Sequence, residues 1–231
     1  MALVSRSVIF WEVDTQADFM RPGGKLYVRD AEKLLPNMRR LTDAARQGRV
    51  FLVSDACVHA PDDEEFKRFP PHCVRGTPGA AIVPETLAQT FFTIPNRPNV
   101  KVPRDLSKVQ QVILEKQTLD VFDNPNTEII LQRLGSFTNP DAEFVVFGVV
   151  TEYCVRLAAK GLLERKRRVA LVSDAIETLN PADGRRALDE LVALGARSIT
   201  TDQALALVDE SLAEESERPR KNPRPARISQ R

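Results

Sequence analysis

Residues 144–162 read FVVFGVVTEYCVRLAAKGL. Val, Phe and Gly fill 144–150 without polar alternation, the pattern of a strand covered on both faces. A helix then spans Val155–Arg165, with Cys154 at its opening. A buried strand feeding a helix is half of a βαβ unit. The same signal recurs on either side, at Val8–Val13 (VIFWEV), Val50–Ser54 (VFLVS), Val112–Glu115 (VILE), Val169–Ser173 (VALVS) and, more weakly, Arg197–Thr200. Helical segments fall between them. Ala31–Gln47 places Leu34, Leu35, Met38, Leu41, Ala44 and Ala45 at a 3.6 period. Pro181–Leu194 and Asp202–Leu212 follow, with Pro181 suited to a first turn and Thr200 and Gln203 at capping-box spacing. Strands alternating with helices predict a three-layer α/β sandwich around a parallel sheet.

The chain has 231 residues, 42% hydrophobic and 28% charged, as expected of an ordinary globular protein. No apolar run reaches the roughly 18 residues of a membrane span. The N-terminus, MALVSRSVIFWEVD, reads as a strand and not as a signal peptide. Three cysteines cannot all pair, so free thiols and a reducing, cytoplasmic setting are expected. Residues 218–231 (RPRKNPRPARISQR) hold six Lys and Arg, and subtracting them from the net charge of +1 leaves the body near −5. An acidic body argues against nucleic-acid binding. The expected organisation is one domain over residues 1–212 and a basic, Pro- and Arg-rich extension over 213–231. The stretch 56–105 is rich in Pro and charge, and a loop region that long in a compact domain is usually functional.

Ligands of open parallel sheets bind beyond the carboxyl ends of the strands. The predicted strands end at Asp14, Asp55, Lys116, Cys154 (through Gly148-Val-Val-Thr-Glu-Tyr) and Asp174. Asp14, Lys116 and Cys154 on one edge form a nucleophilic set. A helix N-terminus and a lysine both lower a thiol pKa, and Asp14 can accept the thiol proton and later deliver it. Each has a structural alternative: a core cysteine, a turn-capping aspartate, a snorkelling lysine. A second cluster, Asp55-Ala-Cys57-Val-His59 with Phe69-Pro-Pro-His72-Cys73, contains both histidines and offers the ligand types of zinc. It lacks CxxC or HExxH spacing, and a hydrogen-bonded His72 with a buried Cys57 thiol is the alternative. His72-Cys73 is not a tyrosine-phosphatase loop, because Gly79 stands where the arginine is needed. Gly23-Gly24-Lys25 lacks the Walker spacing.

The pieces VDTQADFM (13–20), FPPHCVRGTPGA (69–80), the strand ending in Lys116 and GVVTEYCVRLAAKGL (148–162) resemble the isochorismatase-like cysteine hydrolases, which include nicotinamidases and carbamoyl hydrolases. The resemblance runs from about residue 7 to 210. It implies a six-stranded, mainly parallel, Rossmann-like sheet and a catalytic triad of Asp14, Lys116 and Cys154. It implies a cis peptide between Val149 and Val150, with the amides of Val150 and Cys154 as oxyanion donors. It places Phe19, Phe69 and Tyr153 on the substrate slot, with Phe122 as an addition, while Trp11 belongs to the core. It implies a divalent metal, zinc foremost, on Asp55, Cys57 and His72, with His59 as the alternative to Cys57, which stands where the family has histidine. No organic cofactor is implied. The activity implied is hydrolysis of a small amide through a thioester, nicotinamide to nicotinate and ammonia first. A metal-independent carbamoyl or ureido amidohydrolase, an isochorismatase-type hydrolase and a non-catalytic binding protein are the alternatives. The partners implied are a small-molecule amide and a second copy of the chain, with no membrane and no nucleic acid.

Overall fold

The apolar runs become strands of one sheet in a computed structural model that describes residues 6–217. They are β1 (Arg6–Val13), β2 (Phe51–Cys57), β3 (Phe91–Ile94), β4 (Gln111–Lys116), β5 (Thr138–Val149), β6 (Arg168–Glu177) and β7 (Arg197–Ile199). The order is β3-β4-β2-β1-β5-β6-β7, and every neighbouring pair is parallel. The helices are α1 (Ala17–Met20), α2 (Leu35–Arg46), α3 (Thr127–Leu134), α4 (Arg156–Glu164), α5 (Pro181–Ala193) and α6 (Thr201–Glu217).

Strand alternation in β1 divides the interior into two cores. Phe10 packs with Met38 and Leu41 of α2 and Val208 of α6. Ile9, Trp11 and Val13 pack on the other face with Leu131 of α3, Leu162 of α4 and Leu191 of α5. Each face of the sheet is therefore covered by helices, which is why the strands are apolar throughout. Among the described residues no helix is long and apolar enough to cross a membrane.

The sheet has seven strands, one more than the six expected. The addition, β3, is the short run FFTI at the edge beside β4. Only Ile94 of it is buried, so it carries no continuous apolar signal. The helix expected over Ala31–Gln47 divides into a 3-10 turn, Ala31–Leu34, and α2. Pro36 lacks an N–H and fits only the first turn of an α-helix, so α2 begins beside it. The last helix runs on to Glu217 through good helix formers, five residues past the expected Leu212. The basic residues of 218–231 lie outside the described residues. The capping box is present: Thr200 N–H donates to Gln203 Oε1 (2.8 Å) and Gln203 N–H to Thr200 Oγ1 (3.3 Å). Asn180 caps α5 by accepting from Ala182 and Asp183, with Pro181 in the first turn.

Successive strands depart from β1 to both sides, β2 and β4 one way and β5 to β7 the other. That is a topological switch point, where a crevice opens at the carboxyl ends.

Candidate active site

Four chain segments meet in that crevice. Asp14 follows β1, Cys57 ends β2, Lys116 ends β4, and Cys154 lies in the π-helical turn Thr151–Val155 that joins β5 to α4. Cys57 and Lys116 are register partners on adjacent strands. The Lys116 ammonium is fully buried and donates to Asp14 Oδ2 at 2.7 Å, Cys57 Sγ at 3.1 Å and Cys154 Sγ at 3.4 Å. Asp55 Oδ1 lies 3.8 Å from it. The structure thus brings Asp14, Lys116 and Cys154 together, with Cys57 as a fourth member.

One buried cation faces two carboxyls and two thiols. A lone buried charge is costly, so the ammonium supports about one anion and the other groups hold their protons. Burial, then the negative charge of Cys57, raises Asp14 to about 7. Burial and Asp14 push Asp55 well up. Cys154 is pushed up by its hydrogen bond to Cys57, then by burial. Cys57 moves well down, because the Cys154 thiol donates to it and Lys116 stands beside it, against the cost of burial. Burial also works against the ammonium, but Asp14 and the two sulfurs outweigh it and hold Lys116 charged. Negative charge is thus drawn towards Cys57 beside the Lys116 ammonium, while Cys154 and Asp14 are pushed towards their protonated forms.

Two backbone features shape the approach to Cys154. The Val149–Val150 peptide is cis, at the position the resemblance implies. Gly148 has φ +127°, and a Cβ there would lie 2.0 Å from the Val13 carbonyl oxygen. Glycine is what lets the end of β5 close against the end of β1.

The expected metal ligands are partly rearranged. Cys57, His59 and His72 present ligand atoms within 4.8 Å of one another, and all three are buried. Asp55 is outside this group. Its Oδ2 accepts from Trp11 Nε1 at 3.0 Å and its Oδ1 turns to Lys116. His59 therefore joins Cys57 instead of substituting for it. A bridge does this: His59 N–H donates to the Cys73 carbonyl (3.1 Å) and Arg75 N–H to the His59 carbonyl (2.9 Å), which zips 59 alongside 72–75. Asp63 Oδ2 lies 3.1 Å from His59 Nδ1 in an ion-pair contact, yet both ring nitrogens lack a hydrogen bond. His72 Nδ1 pairs with the Pro70 carbonyl at 2.8 Å, which orients the ring. One cysteine sulfur and two imidazoles, all buried, with both His59 ring nitrogens orphaned, suit zinc.

A cavity of about 340 Å³, counted with its open mouth, rises above Cys57, Val150 and Cys154. Phe19, Phe69 and Tyr153 wall it, as expected, with Phe69 and Tyr153 edge to face at 6.1 Å. Phe122 does not. It stacks on Trp11 at 6.2 Å and lies beneath the Arg165 guanidinium at 3.7 Å, so it belongs to the core. Trp11 is fully buried. Asp174 is also elsewhere, accepting from Thr201 N–H and Oγ1 at the start of α6.

The sequence left five participants unmarked. Gln16 is buried and grips Cys57, with Cys57 N–H donating to its Oε1 (2.7 Å) and its Nε2 donating to the Cys57 carbonyl (2.6 Å). Its place inside VDTQADFM was the available signal. Leu26, Glu65, Leu119 and Leu179 complete the cavity wall from segments without periodic pattern.

The Isochorismatase domain model matches residues 11–94 and 89–203, and the chain belongs to that family of hydrolases. Among solved structures, the chain is similar to a pyrazinamidase of Pyrococcus horikoshii in complex with zinc, at 26% identity, covering 84% of this chain and 99% of that one, TM-score 0.66. It is also similar in fold to an N-carbamoylsarcosine amidase of Thermoplasma acidophilum (24% identity, 85% and 97% covered, TM-score 0.65). A nicotinamidase of Bacillus subtilis is a third such likeness (20%, 83% and 98%, TM-score 0.65). No curated protein matches significantly by sequence.

Proposed function

We propose that the protein is a cysteine amidohydrolase of a small planar amide, with nicotinamide converted to nicotinate and ammonia as its reaction. The observation that carries this reading is the Asp14–Lys116–Cys154 set on the floor of an aromatic-walled cavity. The amide carbon sits over Cys154 Sγ. The thiol passes its proton to Asp14, a hydrogen-bond partner of Cys154, and the sulfur attacks the carbonyl carbon. The backbone amides of Val150 and Cys154 receive the oxyanion. Asp14, now the acid, protonates the departing nitrogen, and ammonia leaves a thioester on Cys154. Asp14 then takes a proton from the incoming water, the carboxylate product departs, and Cys154 recovers its thiol. Lys116 holds Asp14 at 2.7 Å and balances the negative charge passing between carboxylate and sulfur. A divalent ion such as zinc, held by Cys57, His59 and His72, would supply a Lewis-acid contact for a substrate heteroatom.

A second reading is a carbamoyl or ureido amidohydrolase that works without metal. Cys57 favours it, because its sulfur is already engaged by Lys116 at 3.1 Å. The deciding experiment measures ammonia release from nicotinamide by wild type and Cys154→Ala, with metal content on the same sample. Release that depends on Cys154 supports the first reading. A folded, metal-free protein inactive on nicotinamide overturns it and moves the assay to ureido substrates.

A further inference from the structure

Cys57 and Cys154 come from distant parts of the chain, the end of β2 and the turn before α4, yet both line the same cavity. They flank one ammonium, with Lys116 Nζ 3.1 Å from the first sulfur and 3.4 Å from the second. The Cys154 thiol also donates to Cys57, so the two sulfurs are in direct contact. Amide cleavage uses Cys154 and the metal cluster uses Cys57, but neither role requires that contact. The third cysteine stands apart. Cys73 N–H donates to Asp18 Oδ2 (2.7 Å), its sulfur faces the Gly79 carbonyl at 4.0 Å, and it is not among the described residues that line the cavity. An oxidant small enough to reach Cys154 through the cavity therefore meets a second sulfur there. Cys57 is fixed by the β2–β4 ladder and by Gln16, which bonds its N–H (2.7 Å) and its carbonyl (2.6 Å). Cys154 sits in a single π-helical turn outside the sheet, so closing an S–S bond of about 2.05 Å moves that turn and not the strand.

We propose that Cys57 and Cys154 form a reversible disulfide when a hydroperoxide enters the cavity, a modification that switches the nucleophile off and shields it from irreversible oxidation. One sulfur attacks a peroxide oxygen, the O–O bond breaks, and a sulfenic acid forms while water leaves with the thiol proton. The second sulfur attacks the first, the S–O bond breaks, and the hydroxyl leaves as water with the second thiol proton. Two thiols lose two electrons, and one peroxide is reduced to two waters. A dithiol reopens the bond by exchange and is itself oxidised to a disulfide. Without a neighbouring thiol, further peroxide carries the sulfenic acid to sulfinic acid, which does not return. A divalent ion on Cys57 would occupy the same sulfur, so metal and disulfide exclude each other. The bond needs only the two sulfurs and the open cavity, whatever amide the site cleaves.

The test exposes the full chain to hydrogen peroxide, with and without EDTA, and maps the products by mass spectrometry of unreduced peptides. A linked pair of peptides bearing residues 57 and 154 is expected from wild type, and dithiothreitol should return both free thiols. Cys73→Ser, changed outside the cavity, should form the same link. In Cys57→Ser and Cys154→Ser, each checked for folding by circular dichroism, the remaining sulfur has lost its partner. Sulfinic acid on the sulfur that meets peroxide first should then exceed wild type by at least about tenfold in one of the two variants. No 57–154 link with or without EDTA, a link to Cys73 in its place, or equal sulfinic acid in wild type and both variants would overturn the proposal. The link in a protein that turns over no amide would instead sink the amidase reading and leave the disulfide standing.

Discussion

Replacing Lys116 by Met removes one charge from the centre of the site while keeping an unbranched side chain of similar reach. Nζ lies 3.1 Å from Cys57 Sγ and 2.7 Å from Asp14 Oδ2. At an effective dielectric of about 20, a unit charge pair at 3.1 Å is worth about 5 kcal/mol. That exceeds the roughly 3 kcal/mol needed to hold a thiol two pH units below its ordinary range. The Cys154 hydrogen bond is the largest influence lowering Cys57, burial opposes it, and the Lys116 charge adds to it. Lys116→Met should therefore shift the ionisation of Cys57 upward. Because the thiolate can take up a proton, the stability cost is capped at a few kcal/mol. Thiolate absorbance at 240 nm, titrated from pH 5 to 10, checks this, with Cys57→Ser to assign the step. Wild type should show a thiolate step well below the ordinary thiol range. Lys116→Met should move that step upward by about two pH units or more, and its kcat/KM on the amide substrate should fall by about a thousandfold or more. A Lys116→Met protein whose thiolate step does not move would refute the reasoning and assign the effect to the Cys154 hydrogen bond and the two imidazoles.

Three further outcomes are expected. Burial raises Glu12 to about 7 despite hydrogen bonds from Thr15 and Ser54. Its folded value exceeds its unfolded one, so wild type should lose up to about 3 kcal/mol relative to Glu12→Gln as pH rises from about 4.5 to about 7, measured by urea unfolding. Gly148→Ala drives a Cβ onto the Val13 carbonyl and should cost about 3 kcal/mol or more in a melting experiment. After dialysis against zinc and then buffer, wild type should hold about one zinc per chain, and Cys57→Ser and His59→Ala should each fall below about 0.1 by elemental analysis, whereas Asp55→Asn should retain it.

Much of this architecture was legible in the chain because burial on both faces writes itself as unbroken apolar runs. β1, β2 and β4 to β6 carry that signature, β7 (Arg-Ser-Ile) only faintly, and the strand ends delivered Asp14, Lys116 and Cys154 to one edge. β3 escaped because an edge strand of four residues with three of them partly or fully exposed has no such signature. The thiol–imidazole cluster was harder to read. Spacing along the chain suggested Asp55 beside Cys57, but the indole N–H of Trp11, on the adjacent strand, claims the carboxylate. His59 and His72 meet only because the segment after β2 pairs with 73–75, a contact between loops that no periodicity announces.

The central claim is that Cys154 forms a covalent thioester with the acyl half of its substrate. Acid quench of wild type turning over nicotinamide, followed by mass spectrometry of the peptide bearing residue 154, tests it most directly. The account predicts a nicotinoyl adduct on Cys154 that hydroxylamine removes, and neither adduct nor ammonia from Cys154→Ala. Ammonia release that persists in Cys154→Ala, with no adduct on wild type, would contradict it.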